Sequence, residues 1–253
     1  MSSAPNLPLA GQSVLITGGA RRLGAALARE LHGAGASVLI HYRASRADAA
    51  ALAAELNAAR PGSAAVHAAD LLDVGALPGV IAAAVGAFGR LDVLINNAST
   101  FYPTPVGEIT LAHWEDLTGA NLRAPLFLSQ AAAPELRLRR GLVLNLVDIH
   151  ALRPLKRHPL YCATKAGLVM LTQSLARELG PLVRVNAIAP GPVLWPAGAL
   201  DGDLQARIVA RTALKRTGTP RDVAKAALYF VRDAPFVTGQ VLAVDGGRSA
   251  GGL

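Results

Sequence analysis

The sequence predicts an α/β fold in which a doubly wound parallel sheet of about seven strands has helices on both faces. Short β-branched or apolar runs alternate with longer alanine-rich stretches along the 253 residues, as in α/β folds with a parallel sheet. The runs are almost continuously apolar, which is typical of strands buried on both faces. A glycine-containing turn joins the first run to the first helical stretch. The length favours one domain, residues 1–253.

The elements follow from this alternation in chain order. Strands are predicted at the seven apolar runs 13–17, 37–42, 64–67, 91–95, 142–147, 183–188 and 241–244. Helices are predicted at the stretches between them, 23–32, 46–59, 74–88, 111–138, 160–179 and 221–231. Pro125 is expected to break or kink its stretch. The segment 190–218 is long, irregular and rich in Gly and Pro, and it is predicted to be a lid over a site.

Composition excludes several classes of protein. Hydrophobic residues are 52% and charged residues 17% of the chain, which excludes disorder. The single cysteine cannot form an internal disulfide. The apolar runs are far shorter than the ~20 residues of a membrane-spanning helix, and the first eleven residues lack the pattern of a signal peptide. We therefore expect a cytoplasmic protein without a membrane partner.

The basic character of the chain permits a nucleic-acid partner, but the pattern argues against one. The net charge is +8, yet the basic residues stand in short, scattered groups without interleaved aromatic residues. Two of these groups lie in motifs that suggest a small phosphate ligand instead. The group at 153–157 is interpreted as a solvated loop, or alternatively as part of a site mouth that favours anionic tails.

The turn at 17–24, with the sequence TGGARRLG, indicates a dinucleotide site. Glycines between a first strand and a first helix let backbone amides approach a pyrophosphate, and the helix N-terminus favours its charge. The second strand ends without the acidic residue that would hold a free ribose 2′-hydroxyl. Arg43 and Ser45 are present instead, and they suit the 2′-phosphate of NADP.

Tyr161 and Lys165 are candidate catalytic residues. Their spacing of four places both on one face of a helix. An ammonium group beside a phenol is expected to lower the pKa of the tyrosine, so that it can transfer a proton near neutral pH. Cys162 is interpreted as a packing residue, and no histidine pattern predicts a metal site.

These motifs resemble those of the short-chain dehydrogenase/reductase family along the whole chain. The matching positions are the turn 17–24, Asp70, the triplet 96–98, Asn121, Tyr161, Lys165, Pro190 with Gly191, and the triplet 245–247. The resemblance implies a single Rossmann-type domain with a nicotinamide cofactor, usually in a homotetramer. It implies that Asp70 contacts adenine, that Lys165 holds the nicotinamide ribose, and that Asn121 supports a water that relays protons to Lys165.

Two departures from the common family pattern resemble the pteridine reductase branch. Arg22 stands where most members have the middle glycine of the turn, and Asp148 stands where most have a serine before the tyrosine. A carboxylate is a poor partner for a carbonyl oxygen but a good partner for a ring N–H or amino group. The segments 41–45, 98–101 and 192–196 are also similar to that branch.

The resemblance implies NADPH-dependent reduction of a pterin or folate. Tyr161 would supply a proton with help from Asp148, and Phe101 would stack on the pterin. For the dihydro to tetrahydro step the resemblance implies an alternative, in which water delivers the proton while Asp148 and Tyr161 orient the ring. The implied cofactor site is Thr17, Gly18, Arg22, Leu23, His41, Tyr42, Arg43, Ser45, Asp70, Leu71, Asn97, Ala98, Ser99, Tyr161, Lys165, Pro190, Gly191 and Val193. The implied substrate site is Arg22, Ser99, Phe101, Asp148, Tyr161, Leu194 and Trp195, and the implied catalytic residues are Asn121, Asp148, Tyr161 and Lys165.

Two other functions compete with this hypothesis. One is a reductase for ordinary ketones such as a 3-oxoacyl thioester, which the aspartate at position 148 disfavours. The other is a non-catalytic NADP-binding protein, which the presence of Asn121, Tyr161 and Lys165 disfavours.

Overall fold

The computed structural model describes residues 7–193 and 202–250, in which strands and helices alternate along the chain. The strands are β1 (Ser13–Ile16), β2 (Ser37–Tyr42), β3 (Ala64–Ala68), β4 (Val93–Asn96), β5 (Leu142–Leu146), β6 (Arg184–Pro190) and β7 (Val241–Val244). The helices are α1 (Arg22–Gly33), α2 (Arg46–Ala59), α3 (Leu77–Phe88), α4 (Leu111–Thr118), α5 (Ala124–Arg139), α6 (Pro159–Leu179), α7 (Gly202–Ala210) and α8 (Pro220–Arg232).

The seven strands form one parallel sheet in the order β3-β2-β1-β4-β5-β6-β7, which confirms the predicted fold class. Successive side chains of a strand point to opposite faces. Val14 and Ile16 pack into the core beneath α1, α2 and α8, whereas Leu15 packs into the core beneath α3, α5 and α6. Both faces are covered, and this explains why the strands are apolar at consecutive positions.

The order of the strands creates a crevice at the carboxyl ends of β1 and β4. The chain adds β2 and β3 on one side of β1 and then returns to add β4 on the other side. The loops after β1 and β4 therefore leave the sheet in opposite directions, and ligands bind at such switch points in open α/β sheets.

Prolines mark helix starts more often than helix breaks in this chain. Pro78 and Pro125 lie in the first turns of α3 and α5, where the missing N–H is not needed. The expected break in the stretch 111–138 is the π-helical turn Gly119–Arg123, just before Pro125.

The segment 190–218 contains a helix that the sequence did not predict. Helix α7 occupies its middle, although the segment was interpreted as irregular. Its nine residues are few, and the surrounding Gly and Pro residues hide its periodicity. Asp203 in its first turn and Arg207 in its last turn complement the helix dipole.

The longest described helix, α6, has 21 residues but includes Lys165, Arg177 and Glu178. Over residues 7–193 and 202–250, no helix is both long and apolar enough to cross a membrane.

Candidate active site

A cavity of about 1240 Å³ opens at the carboxyl ends of the strands and holds most of the predicted site. The predicted residues that line it are Gly18, Arg22, Leu23, His41, Arg43, Asp70, Leu71, Asn97, Ala98, Ser99, Phe101, Asp148, Tyr161, Lys165, Pro190, Gly191 and Val193. Four predicted residues do not line it, namely Thr17, Tyr42, Ser45 and Asn121. Leu194 and Trp195 lie outside the described residues.

The glycine turn after β1 is closed tightly by its own backbone. A Cβ atom at Gly24 would lie 2.3 Å from the Gly18 carbonyl oxygen, so only glycine fits at this position. Gly18 adopts φ +57°, and Arg22 adopts φ +50°, a left-handed conformation that disfavours side chains. Arg21, at the N-cap of α1, makes no side-chain capping hydrogen bond. The first turn of α1 therefore offers backbone N–H groups to an anion.

Thr17 and Asn97 join this turn to the loop after β4. The Thr17 hydroxyl accepts hydrogen bonds from the backbone N–H groups of Asn97 (2.9 Å) and Ala98 (3.0 Å). The Asn97 side-chain amide donates to the carbonyl oxygens of Thr17 (2.8 Å) and Gly18 (3.0 Å). Thr17 is buried away from the cavity and shapes its wall from behind, because its hydroxyl is committed to these bonds.

His41 fixes the same turn from the end of β2. Its Nδ1 accepts from the Gly18 N–H (3.2 Å), which leaves Nε2 to donate to the Ala69 carbonyl oxygen (3.1 Å). Burial lowers the pKa of His41 to about 4, so the imidazole is neutral near neutral pH, as this pair of bonds requires. His41 thus bridges the turn after β1 to the loop after β3.

A smaller cavity of about 240 Å³ adjoins the turn at the end of β2. Tyr42, Arg43 and Ser45 line it, together with Gly18, Ala20, Arg21 and Ala44, and none of these residues is acidic. Arg21 is paired with Asp48 (2.6 Å), whereas Arg43 has no ion pair or side-chain hydrogen bond within the described part of the chain. Arg43 therefore offers this cavity a cation.

Asp148 and Tyr161 form a direct hydrogen-bonded pair in the main cavity. The Tyr161 hydroxyl donates to Oδ2 of Asp148 (2.8 Å), and Oδ1 accepts from the backbone N–H of His150 (2.7 Å). Asp148 is also the N-cap of the short 3₁₀ turn Ile149–Ala151, which orients its carboxylate. Carboxylate oxygens have about four acceptor sites, so Asp148 retains capacity for a ligand N–H.

The expectation that Lys165 lowers the pKa of Tyr161 is wrong for this arrangement. Burial and the adjacent Asp148 carboxylate both raise the pKa of Tyr161 above its ordinary value. The Lys165 ammonium donates to the Leu146 carbonyl oxygen (2.9 Å) and lies 5.8 Å from the centre of the Tyr161 ring. Tyr161 therefore holds its proton firmly. Burial lowers the pKa of Lys165 itself to about 8.

Asn121 supports the site from the π-helical turn between α4 and α5. It is fully buried, and its Oδ1 accepts from the Ser99 hydroxyl (2.9 Å) and the Thr100 N–H (3.0 Å). Its amide donates to the Thr100 carbonyl oxygen (3.0 Å) and to the Thr164 hydroxyl (3.3 Å). The side chain thus ties the loop after β4 to α6 and does not face the cavity, and π-helical turns are frequent at functional sites.

Phe101 and His158 form an aromatic pair that the sequence did not predict. Their rings are stacked with centres 4.7 Å apart and planes 10° apart, and both residues line the cavity. Phe101 also meets the Tyr161 ring edge-on at 4.8 Å. His158 was considered only as a neighbour of the basic segment; its place immediately before α6 was the available signal.

The segment 153–157 reaches the cavity through Leu155 but not through its basic side chains. None of Arg153, Lys156 and Arg157 lines it, and the Arg153 guanidinium donates to the Ser249 carbonyl oxygen. Instead Arg207, Arg211 and Arg248 line the cavity from α7, from the residue just after it, and from the turn after β7. Sequence reasoning missed these three residues. The described residues contain no group of three or more His, Cys, Asp or Glu side chains that could hold a metal ion.

The known proteins that this chain resembles belong to one family but have different activities. Residues 18–249 match the family described as enoyl-(acyl carrier protein) reductase. "Pteridine reductase 1" of Leishmania tarentolae is 34% identical over 98% of this chain and 99% of its own. The 3-oxoacyl-[acyl-carrier-protein] reductase FabG of Staphylococcus aureus strain Mu50 is 33% identical over 93% and 97% of the two chains.

Solved structures agree with the fold. A blue fluorescent protein from a metagenomic library, in complex with NADPH, superposes with a TM-score of 0.90 at 34% identity, covering 96% of this chain and 99% of that one. A Serratia marcescens short-chain dehydrogenase/reductase carrying two substitutions gives the same TM-score at 32% identity, with the same coverage of both chains.

Proposed function

Because the chain belongs to the short-chain dehydrogenase/reductase family of oxidoreductases, we propose that it reduces pterins or folates to their tetrahydro forms with NADPH. The single observation that carries the proposal is Asp148, hydrogen-bonded to Tyr161 at 2.8 Å where most of the family has a serine. A homotetramer and a cytoplasmic location stay predictions.

The chain has the features that NADPH requires. The tight turn 18–24 and the uncapped first turn of α1 suit the pyrophosphate. Asp70 and Leu71 line the cavity on the adenine side of the predicted site. The small cavity contains Arg43 and no carboxylate, so it suits a negatively charged 2′-phosphate. The solved relative in complex with NADPH agrees with this cofactor.

Asp148 favours a substrate that donates hydrogen bonds. Its carboxylate accepts, and so does a ketone oxygen, so the two are poorly matched. A pterin presents an amino group and ring N–H groups, which match. We propose that Asp148 orients the pterin by accepting from it, while Phe101 contributes an aromatic surface beside Tyr161.

The proton comes from Tyr161 in this proposal. When bound, NADPH supplies the hydride, and a reduction that adds a hydride to a ring carbon needs a proton at the adjacent nitrogen. Burial and Asp148 raise the pKa of Tyr161, which keeps the hydroxyl protonated but makes it a weak acid, so the proposal requires the nearby Lys165 cation to stabilise the phenolate that proton transfer leaves. Lys165, held by the Leu146 carbonyl oxygen, places a cation beneath the Tyr161 ring and is predicted to contact the nicotinamide ribose.

A second candidate function is the reduction of a 3-oxoacyl thioester. The similarity to the Staphylococcus aureus FabG is nearly as high as the similarity to the Leishmania pteridine reductase. In that case Tyr161 would protonate the carbonyl oxygen, and Asp148 would be an acceptor facing an acceptor.

The test is NADPH oxidation by the purified full chain with 7,8-dihydrobiopterin, dihydrofolate and an acetoacetyl thioester, each as sole substrate. We expect turnover of at least one of the two pterin compounds and none of the thioester. Turnover of the thioester alone would assign the second function and overturn the proposal.

A further inference from the structure

The catalytic cavity carries two separate groups of arginines. The first group lies on the turn after β1 and at the end of β2, and consists of Arg21, Arg22 and Arg43. The second group, here called the lid arginines, consists of Arg207, Arg211 and Arg248. Both groups line the same space, and the carboxylates among the described lining residues are Asp70 and Asp148.

The order of the strands separates the two groups. The first group follows β1 and β2, whereas the lid arginines follow β6 and β7. Asp148 follows β5, which lies between them in the sheet. The reacting ring beside Asp148 and Tyr161 therefore has one cationic group on each side, and the lid arginines lie on the side away from the glycine turn.

Two of the lid arginines are presented to the cavity by α7 and the residue after it. Leu204, Arg207 and Ile208 line the cavity with the spacing of a single helix face, and Arg211 lines it from the position just beyond the helix end at Ala210. Arg248 donates to the Ile208 carbonyl oxygen (3.0 Å), which holds the C-terminal end of this helix against the turn after β7. The backbone N–H of Leu214 donates to the Gly246 carbonyl oxygen (3.0 Å) and adds to this attachment.

Two of these guanidinium groups are available to a ligand. Arg207 and Arg211 are exposed, and neither makes an ion pair or side-chain hydrogen bond within the part of the chain that the structure describes. Cations near a helix C-terminus also favour the helix dipole, but that effect does not require them to line a cavity. Because they line the same cavity as Asp148 and Tyr161, they are placed to bind a ligand anion.

We infer that the lid arginines recognise a carboxylate tail on the substrate, so that the enzyme prefers a folate-type pterin over one with a neutral tail. The inference rests on the proposed function. The phosphates of NADPH belong to the first arginine group, because they bind at the N-terminus of α1 and the end of β2. An anion at the lid arginines must therefore come from the substrate. Guanidinium groups bind carboxylates through charge-assisted, often paired hydrogen bonds.

The experiment compares dihydrofolate with 7,8-dihydrobiopterin in the wild type and in the double variant Arg207→Gln/Arg211→Gln. We expect the ratio of KM for dihydrofolate to KM for dihydrobiopterin to rise about 10-fold in the double variant, since two exposed charge pairs are lost. Direct binding of dihydrofolate by equilibrium dialysis should weaken by a similar factor, and this readout does not depend on turnover.

A matched control removes two exposed arginines near the C-terminal end of another helix. Arg137→Gln/Arg139→Gln has the same change in net charge, but at the exposed end of α5. Its KM ratio should equal that of the wild type. The variant Arg207→Lys/Arg211→Lys, which keeps the charge, should recover part of the preference and thereby separates charge from misfolding.

The outcomes distinguish this inference from the proposed function. If the wild type reduces neither pterin compound, both fail. If it reduces dihydrobiopterin but not dihydrofolate, or if the KM ratio and dihydrofolate binding are the same in wild type and double variant, the inference alone is overturned. If the wild type reduces only a thioester with a phosphorylated tail and the double variant weakens that substrate, the anion is a phosphate and the carboxylate assignment is wrong.

Discussion

The two sides of the cavity are built in different ways. The turn side consists of residues 17–24, 41–45 and 96–98, and buried side chains fix its backbone. Thr17, His41 and Asn97 together bond the turn after β1 to the loops after β3 and β4. Each such bond contributes about 1 kcal/mol net, and a lost partner costs more when the remaining group is buried.

The lid side consists of residues 148–165, 202–211 and 245–249, and its attachments reach across the surface. Arg153 donates to the Ser249 carbonyl oxygen, and Arg248 donates to the Ile208 carbonyl oxygen. Its two candidate catalytic groups, the Tyr161 hydroxyl and the Asp148 carboxylate, are hydrogen-bonded to each other. The turn side is therefore preorganised for one ligand, while under the proposed function the lid side carries the groups that choose among substrates.

The largest effect on kcat is expected from the substitution that removes the proposed proton donor on the lid side. Tyr161→Phe deletes the hydroxyl that donates to Asp148, and general acid catalysis contributes about 10²- to 10⁴-fold in rate. We expect kcat for fully oxidised biopterin to fall by about 100-fold or more in steady-state NADPH oxidation. The control is Tyr229→Phe, an exposed tyrosine on α8. Unchanged turnover in Tyr161→Phe would refute the role of the hydroxyl.

The next effect tests the preorganisation of the turn side through pH. The folded chain holds the pKa of His41 at about 4 against an ordinary value of 6.5. Between these values the unfolded chain binds a proton that the folded chain does not, so stability is complete above pH 6.5 and declines as the pH falls to 4. The shift corresponds to about 3 kcal/mol of unfolding free energy.

Urea denaturation at pH 7 and pH 4 measures this effect. The unfolding free energy of the wild type should be lower at pH 4 than at pH 7. In His41→Asn this difference should be smaller by about 3 kcal/mol, because asparagine does not titrate. His67→Asn, on the neighbouring strand in register with His41, should keep most of that difference. An equal pH dependence in wild type and His41→Asn would mean that His41 does not fix the turn.

A smaller effect distinguishes the backbone strain at Arg22 from the charge of its side chain. Arg22 and Arg140 both adopt φ +50°, but only Arg22 lines the cavity. Glycine relieves the left-handed strain at either position, and we expect both Arg22→Gly and Arg140→Gly to gain up to about 1 kcal/mol in unfolding free energy. Only Arg22→Gly should weaken NADPH binding, by about 10-fold in a fluorescence titration. Equal NADPH affinities in the two variants would exclude Arg22 from the phosphate site.

The sequence predicts the turn side more completely than the lid side. The turn side was predictable because its signals are local: TGGARRLG follows a strand, and Arg43 and Ser45 follow the next. All seven strands were located for the same reason. Asp148 and Tyr161 pair across a segment of only fourteen residues, 148–161. Their pairing is therefore also a local feature that the sequence indicates.

The features that were missed depend on contacts between distant residues. Phe101 and His158 stack although they are far apart in the chain, and Arg207 and Arg248 meet the cavity from different elements. The direction of the Tyr161 pKa shift was wrong because spacing reveals Lys165 but not burial or the bond to Asp148. Thr17 and Asn121 do not line the main cavity, and their side chains are committed to hydrogen bonds with neighbouring protein groups.

Under the proposed function, Asp148 selects a pterin over a carbonyl substrate. The most direct test of this selection is the ratio of kcat/KM for 7,8-dihydrobiopterin to kcat/KM for an acetoacetyl thioester, measured in the wild type and in Asp148→Ser. A serine hydroxyl can donate to a carbonyl oxygen, whereas it replaces the carboxylate poorly as an acceptor for ring N–H groups. We predict that the ratio favours the pterin in the wild type and falls by about 100-fold in Asp148→Ser. A ratio that is the same in both proteins would contradict the claim.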